Sequence, residues 1–380
     1  SSFKILSTET IEYSKSWQQK LHNSINLTKD SIAILHHEYG VYLGEKTQEF
    51  ISKNNIINLH FIASHGHTAL HQPEQGITLQ VGDGQQISTA TNCKVVSDFR
   101  IQDVQLGGQG APLVPIGDQL LFSEYEACVN LGGFANISYE IDNQRIAFDI
   151  CPVNIVLNQY SRKLGFKYDN KGMLASMGAV NNELLSALNQ LEFYTLNPPK
   201  SLGLEWVNKW IAPLLEKQEL EPSIVLRTFS EHVAQQISKI IYPFENVLFT
   251  GGGVYNDFLI KRIQDIGNTN IILPSDNIIN YKEALIFALL GLLKLQGKDN
   301  CLSSVTGAKI AANTIATGNV ADNAIDGTKI AQNSILTRHI DDSQVGAAQL
   351  ANDAVTAAKL ASDAVVTASI TDANVTTAKI

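Results

Sequence analysis

The chain has 380 residues, of which 44% are hydrophobic and 17% charged. At roughly 100–200 residues per domain it has material for two or three domains, and its composition is not that of a disordered polymer. Its 28 Lys+Arg against 37 Asp+Glu leave a net charge of −9, which excludes a binder of nucleic acid or anionic membrane working through bulk charge. Cys93, Cys128, Cys151 and Cys301 show no C-x-x-C spacing, no apolar run reaches transmembrane length, and the N-terminus lacks the basic-then-apolar order of a signal peptide. These features point to a reducing, cytoplasmic setting.

Short apolar runs alternate with helical patterns over the first 300 residues, which predicts sheets covered by helices, an α/β fold. The runs 31–35 and 58–63 read as buried strands, with a helix over 43–53. After the second run come Ser64-His65-Gly66-His67-Thr68 and His71, with no carboxylate or cysteine close by in sequence. Polar lining of a pocket therefore fits better than a metal site. Thr78-Leu79-Gln80-Val81-Gly82-Asp83 is a Gly-Asp turn beside side chains able to hydrogen-bond.

A strand over 94–97 leads into Asp98-Phe-Arg-Ile-Gln-Asp103-Val-Gln-Leu-Gly107-Gly-Gln-Gly-Ala-Pro-Leu-Val-Pro115. Glycines there let the backbone approach a ligand, Asp103 is placed for general-base work, and Arg100 for holding an anionic group. The same spacing also fits an ordinary loop with a local Asp–Arg pair. Next, a strand over 127–131 runs into Asn130-Leu-Gly132-Gly133-Phe-Ala-Asn136, followed by hairpin strands at 137–141 and 145–149. A Gly-Gly turn can offer N–H groups to phosphate oxygens, or simply turn a hairpin. No G-x-x-x-x-G-K-[ST] occurs, so this is not a P-loop enzyme. Helical patterns follow at 152–165, 203–218 and 224–241. A strand at 246–250 then enters Gly251-Gly252-Gly253-Val-Tyr-Asn256 and a helix, a context suited to a nucleotide or to close helix packing. A helix over 280–296 ends this region.

The last aromatic residue is Phe287 and the last proline Pro274. From Val305 to Ile380 every fifth residue is Val, Ile or Leu without a miss. Five helical steps scatter such residues around a helix, and an odd spacing sends them to alternate faces of a flat strand. A regularly turning chain points them inward, so residues 301–380 read as a repeat tail, β-helix-like or else disordered. Its Ala354–Leu360 segment resembles the repeats of phage tail fibres.

Taken together, Ser64-His-Gly-x-Thr68, Thr78-Leu-Gln-Val-Gly-Asp83, the whole Asp98–Pro115 block, Asn130-Leu-Gly-Gly-x-Ala-Asn136 and Gly251-Gly-Gly-x-x-Asn256 resemble the anhydro-N-acetylmuramic acid kinase family over about residues 1–309. The resemblance implies a two-lobed actin/sugar-kinase/Hsp70-like fold, with a first lobe at 1–127, a second at 128–300 and the tail at 301–380. It implies a cytoplasmic transferase of carbohydrate metabolism and cell-wall recycling that takes ATP, Mg²⁺ and an amino sugar, with neither nucleic acid nor membrane as partner, and is compatible with a homo-oligomer. Asp103 matches the family's catalytic aspartate. Ser64, His65, Gly66, Thr68, Gln80, Asp83, Arg100, Gln109 and Gly110 are the expected sugar contacts. Gly132, Gly133, Asn136, Asp149, Gly251, Gly252, Gly253 and Asn256 are the expected ATP contacts, and no residue is assigned as a metal ligand. Two departures stand out. The family's Gly-Thr-Ser-x-Asp-Gly phosphate loop is absent from these 380 residues, and Asp149-Ile-Cys-Pro-Val-Asn154 replaces Asp-Thr-Gly-Pro-Gly-Asn. The first implies a truncated kinase with weak or absent phosphorylation, and the alternative of a catalytically impaired body carrying an interaction tail.

Overall fold

The structure is a computed structural model that describes residues 2–309 apart from Gln218 and Asn268. Contacts divide the chain into one compact unit at Ser1–Ala311 and a second at Ala312–Ile380. The second unit, and the five-residue repeat beyond Lys309, lie outside the described residues.

The body is α/β. Its first helices are α1 (Lys15–His22) and α2 (Lys29–Lys53), the latter capped by the Thr28 hydroxyl, which accepts from Ser31 N–H. The apolar run at 31–35, expected as a strand, is the start of α2. Ile32, Leu35 and Tyr39 are buried at helical spacing, and a five-residue run is too short to betray that period. A parallel pair follows, β1 (Ile62–Ala63) with β4 (Val95–Val96). Between them in sequence lie the antiparallel hairpin β2 (His67–Gln72) and β3 (Ile77–Val81), and helix α3 (Gly84–Thr91). Next come α4 (Ile101–Gln105) and α5 (Pro115–Leu121).

The main sheet has five strands in the order β7-β6-β5-β8-β9. These are β5 (Ala127–Leu131), β6 (Phe134–Ile141), β7 (Gln144–Pro152), β8 (Asn246–Thr250) and β9 (Asn270–Ile272). β5, β8 and β9 run parallel, and β5-β6-β7 form an antiparallel meander. The β6–β7 turn is Asp142-Asn143, both at positive φ, as a two-residue hairpin whose twist matches its strands requires. The strands expected at 127–131 and 246–250 match β5 and β8, whose near-continuous apolar character reflects burial on both faces.

One face of this sheet carries α6 (Asn154–Lys163), α7 (Met173–Met177), α8 (Asn182–Asn189), α9 (Leu204–Trp206), which passes through a π-turn into α10 (Ala212–Glu216), α11 (Pro222–Ile241) and α12 (Asp257–Ile266). In α11 the buried residues Val225, Phe229, Val233, Ile237 and Ile241 recur every fourth position and form the stripe that meets the strands. Fully burying each contributes roughly 1.5–3 kcal/mol. The other face, through Cys128 and Leu248, meets Leu121 and Phe122 at the end of α5 and Leu285 and Leu289 of α13 (Asp276–Leu295).

On its far side α13 supports the β1–β4 pair, where Ile286, Phe287 and Leu290 pack with Val96, Phe99 and Leu113, and Gly291 lets Phe61 come close. So α13 and α5 form a layer shared by the two sheets. Buried charges cross the same layer. Asp118 of α5 pairs with Lys282 of α13 at 2.7 Å and lies 4.0 Å from Arg145 of β7, which also donates to Ser138 of β6. A short helix, α14 (Ser303–Thr306), ends the described chain. No helix among the described residues is long and apolar enough to cross a membrane.

Candidate active site

Two groups of residues stand at strand ends, one around the β1–β4 pair and the β2–β3 hairpin and the other at the main sheet. The first surrounds Asp103. Asp98 turns the chain after β4 at a φ of 58°, and α4 then carries Asp103 inward, where it is only 2% exposed. Its Oδ2 accepts from Gly110 N–H at 2.7 Å. Its Oδ1 accepts from the Thr306 hydroxyl at 2.7 Å and the Cys301 thiol at 3.2 Å. Gly110 adopts a φ of 66°, and a side chain at Gly108 would strike the Asp103 carboxyl. The glycines of this loop are there so the backbone can wrap a buried carboxylate. Two oxygens offer about four acceptor directions, and three are filled, so one on Oδ2 stays uncommitted among the described residues.

Arg100 does not pair with either aspartate of the block. Its Nη1 donates to Gly110 O at 2.7 Å and its Nε to His65 Nε2 at 3.1 Å, which puts the His65 proton on Nδ1. Burial, then the neighbouring Arg100 charge, pushes His65 down to about 4, so the ring is neutral at ordinary pH. It lies against Phe287 at 4.3 Å between ring centroids. Burial also lowers Arg100, partly offset by Glu283 of α13, whose carboxylate was not singled out from the sequence.

Ser64 continues from β1 and donates its N–H to Val96 O. Gly66, at a φ of 72°, has Val81 O where a side chain would go. Thr68 pairs in register with Gln80, whose amide donates to Thr78 Oγ1 at 3.0 Å while its buried Oε1 has no partner among the described residues. Asp83 behaves differently. Its two oxygens accept from Gln85 N–H and the Gln86 amide, capping α3. Burial opposes its charge, but those bonds and the nearby His36 and His37 hold the carboxyl below its usual range. Gln109 donates its N–H to Thr306 O at 2.8 Å.

The second group lies at the C-terminal ends of β5 and β8, where ligands bind in α/β sheets. The Gly132-Gly133 turn and the Gly251–Gly253 loop meet there. Gly251 has a φ of 84°, and an added side chain would be 2.6 Å from Asn130 Oδ1. Gly253 presses on Leu131, whereas Gly252 faces open space. Asn154, the last residue of the Asp149–Asn154 segment, donates to Gly132 O at 2.7 Å and locks the turn onto α6.

Register aligns a polar row across four strands. Thr250, Asn130, Asn136 and Asp149 are successive partners on β8, β5, β6 and β7. Cross-strand partners share a face, so this row presents polar groups at the mouth of the glycine loops. The glycine-turn motif contained Asn130 without a role of its own, and Thr250 was missed, because only strand pairing aligns them with Asn136 and Asp149. Asp149 Oδ2 accepts from Leu202 N–H at 2.8 Å; burial raises this carboxyl, and that bond offsets part of the rise. Asn256 is buried and caps α12 by accepting from Leu259 N–H.

A family model for anhydro-N-acetylmuramic acid kinase matches residues 3–318. A protein named anhydro-N-acetylmuramic acid kinase from Francisella tularensis subsp. novicida is 32% identical over 335 residues, covering 80% of this chain and 88% of its own length. One of the same name from Clostridioides difficile is 34% identical, covering 77% of this chain and 82% of its own. Another, from Vibrio cholerae, is 35% identical over 66% of this chain and 72% of its own. With its glycine loops and buried aspartate in place and the family match running through nearly all the described residues, the chain belongs to the anhydro-N-acetylmuramic acid kinase family of sugar phosphotransferases.

Proposed function

We propose that the chain opens 1,6-anhydro-N-acetylmuramic acid with water and transfers the γ-phosphoryl of ATP to O6, giving N-acetylmuramic acid 6-phosphate and ADP. Water attacks the anomeric carbon and gives its proton to Asp103. The bond from that carbon to O6 breaks, and O6 takes the phosphoryl group. The observation that carries this reading is the Asp103 carboxylate, buried and fixed at both oxygens yet with one acceptor direction left on Oδ2. A base so held loses little freedom on reaching the transition state. Gly110 and Arg100 brace the loop, neutral His65 offers its Nδ1–H as a donor to a sugar oxygen, and the open Gln80 Oε1 suits a sugar O–H or amide N–H. Ser64, Gly66, Thr68 and Gln109 complete this side, with Asp83 shaping it through α3.

The ATP phosphates are assigned to the Gly132-Gly133 turn and the polar row, and the nucleoside side to Gly251–Gly253. Asp149, with one oxygen uncommitted, and Asn136 beside it form a donor set that fits Mg²⁺ held largely through its waters. When bound, that ion neutralises phosphate charge. The two assigned regions correspond to lobes at 1–127 and 128–300 facing a common cleft.

The test is product formation by the 380-residue chain with the anhydro sugar, ATP and Mg²⁺, followed by mass spectrometry. The expected product is the 6-phosphate with one ADP per sugar, formed at a low rate because the Gly-Thr-Ser-x-Asp-Gly phosphate loop is absent from these 380 residues. Asp103→Asn should lower kcat by about 10²–10⁴-fold with sugar binding retained. ADP release without sugar phosphate, or Asp103→Asn turnover within about tenfold of the parent, would refute the proposal.

A further inference from the structure

Segment Cys301–Lys309 lies over the base from behind. Cys301 and Leu302 pack with the Val96–Phe99–Leu113 cluster. The Thr306 carbonyl accepts from Gln109 N–H at 2.8 Å, and Lys309 N–H donates to Leu106 O at 2.8 Å. The segment is thus laced along the 106–110 loop on both sides of Gly108, whose missing side chain makes room for Ala308. On its other side Ser304 Oγ donates to Arg145 O at 3.0 Å, tying it to β7 of the main sheet. Thr306 is 1% exposed. Its hydroxyl has one proton and two acceptors in reach, Asp103 Oδ1 at 2.7 Å and Leu302 O at 3.3 Å. The nearer, charged acceptor takes it.

We propose that Thr306 is a positioning residue, and that segment 301–309 is a strap that occupies Asp103 Oδ1 so that Oδ2 alone faces the attacking water. Without the hydroxyl the carboxylate keeps only the weaker Cys301 donor on Oδ1 and gains freedom to rotate about its Cβ–Cγ bond. Rotation moves the reactive lone pair away from the line of attack, a loss felt in chemistry more than in binding. The bond joins residues 203 positions apart, so the strap also couples the base's loop to the last part of the body. This inference rests on the base role given to Asp103. The contact itself can be read without catalysis through Cys301, which shares Oδ1. Burial, then the bond to Asp103, pushes that thiol up to about 12, so in place it reacts slowly.

The experiment uses the full chain carrying Cys93→Ser, which removes the other partly exposed thiol. Thr306→Val keeps the shape without the hydroxyl, and Thr306→Ser keeps the hydroxyl. Thr306→Val should lower kcat by about 10- to 100-fold with sugar and ATP KM within about twofold, while Thr306→Ser stays within about threefold of the parent. Carboxymethylation of Cys301 by iodoacetate should speed up in Thr306→Val, and no more than slightly in Thr306→Ser. A Thr306→Val kcat within about threefold of the parent, or a loss confined to KM, overturns the positioning role. Equal labelling rates in parent, Thr306→Val and Asp103→Asn overturn the strap. If labelling responds while the parent makes no sugar phosphate, the strap stands and the proposed reaction falls.

Discussion

Asp118 lies between two cations, with Lys282 Nζ at 2.7 Å and Arg145 Nη2 at 4.0 Å, and all three side chains are nearly excluded from solvent. At an effective dielectric of about 20 these separations correspond to attractions of ~6 and ~4 kcal/mol, set against desolvation of several kcal/mol per ion. The charge count decides which substitution hurts more. Lys282→Met leaves one carboxylate facing one guanidinium, a balanced pair. Asp118→Asn leaves two buried cations facing each other and also strips Ser138 and Arg145 of their anchor. Breaking a buried pair costs about 3–5 kcal/mol, so Lys282→Met belongs at the lower end and Asp118→Asn at or above the upper end. Urea unfolding followed by tryptophan fluorescence reads the difference from the midpoints, provided the slopes agree. Both variants within about 1 kcal/mol of the parent, or Lys282→Met the more damaged of the two, would refute the charge counting. Because α5 and α13 also support Phe99, Phe287 and thereby His65, Asp118→Asn should loosen the sugar side as well.

Buried neutral histidines make stability fall in acid. Burial holds His65 at about 4 and His232 at about 3, while in the unfolded chain each takes its proton near 6.5, so stability should be flat above pH 7 and decline from about pH 6.5 toward 4. His232→Gln should make that decline shallower in urea titrations at each pH, and an unchanged slope would count against its burial in the neutral form. Gly252 faces open space, so Gly252→Ala should leave the melting temperature unchanged yet weaken ATP binding by calorimetry, because the added methyl occupies the assigned nucleotide position. Unchanged ATP affinity would move the nucleotide elsewhere. Gly253→Ala, whose methyl would come 2.7 Å from Leu131 Cβ, should lower the melting temperature as well.

The parts of this architecture legible in the sequence are those with dense local signals. Residues 127–131 and 246–250 are mostly apolar, with Val129, Leu131, Val247, Leu248 and Phe249 fully buried, because both faces of β5 and β8 are covered. The Asp98–Pro115 block combined carboxylates, Arg and Gly closely enough to mark Asp103, and the structure adds why the glycines are needed, as packing room for that carboxyl. Residues 31–35 misled because half of α2's buried stripe fits a strand's length equally well. Asp83 and Asn256 were marked as ligand contacts, and the structure occupies their side-chain oxygens in helix capping, a role their residue types suit just as well. Thr306, Glu283 and Thr250 left no local signal, and the alignment of Asn130, Asn136 and Asp149 with Thr250 in one row was equally invisible, since each depends on strand register or on contacts between distant segments.

Lys309 is hydrogen-bonded to Leu106, three residues past the hydroxyl that grips Asp103 and on the same loop. Lys309 and Thr306 thus act as a clasp at the edge of the proposed sugar site: two backbone bonds, Lys309 N–H to Leu106 O and Gln109 N–H to Thr306 O, set how firmly Asp103 is held, and no strand of the main sheet shares in them. Fraying of this clasp would show as slower turnover at unchanged substrate occupancy, with amide protection of the sheet untouched.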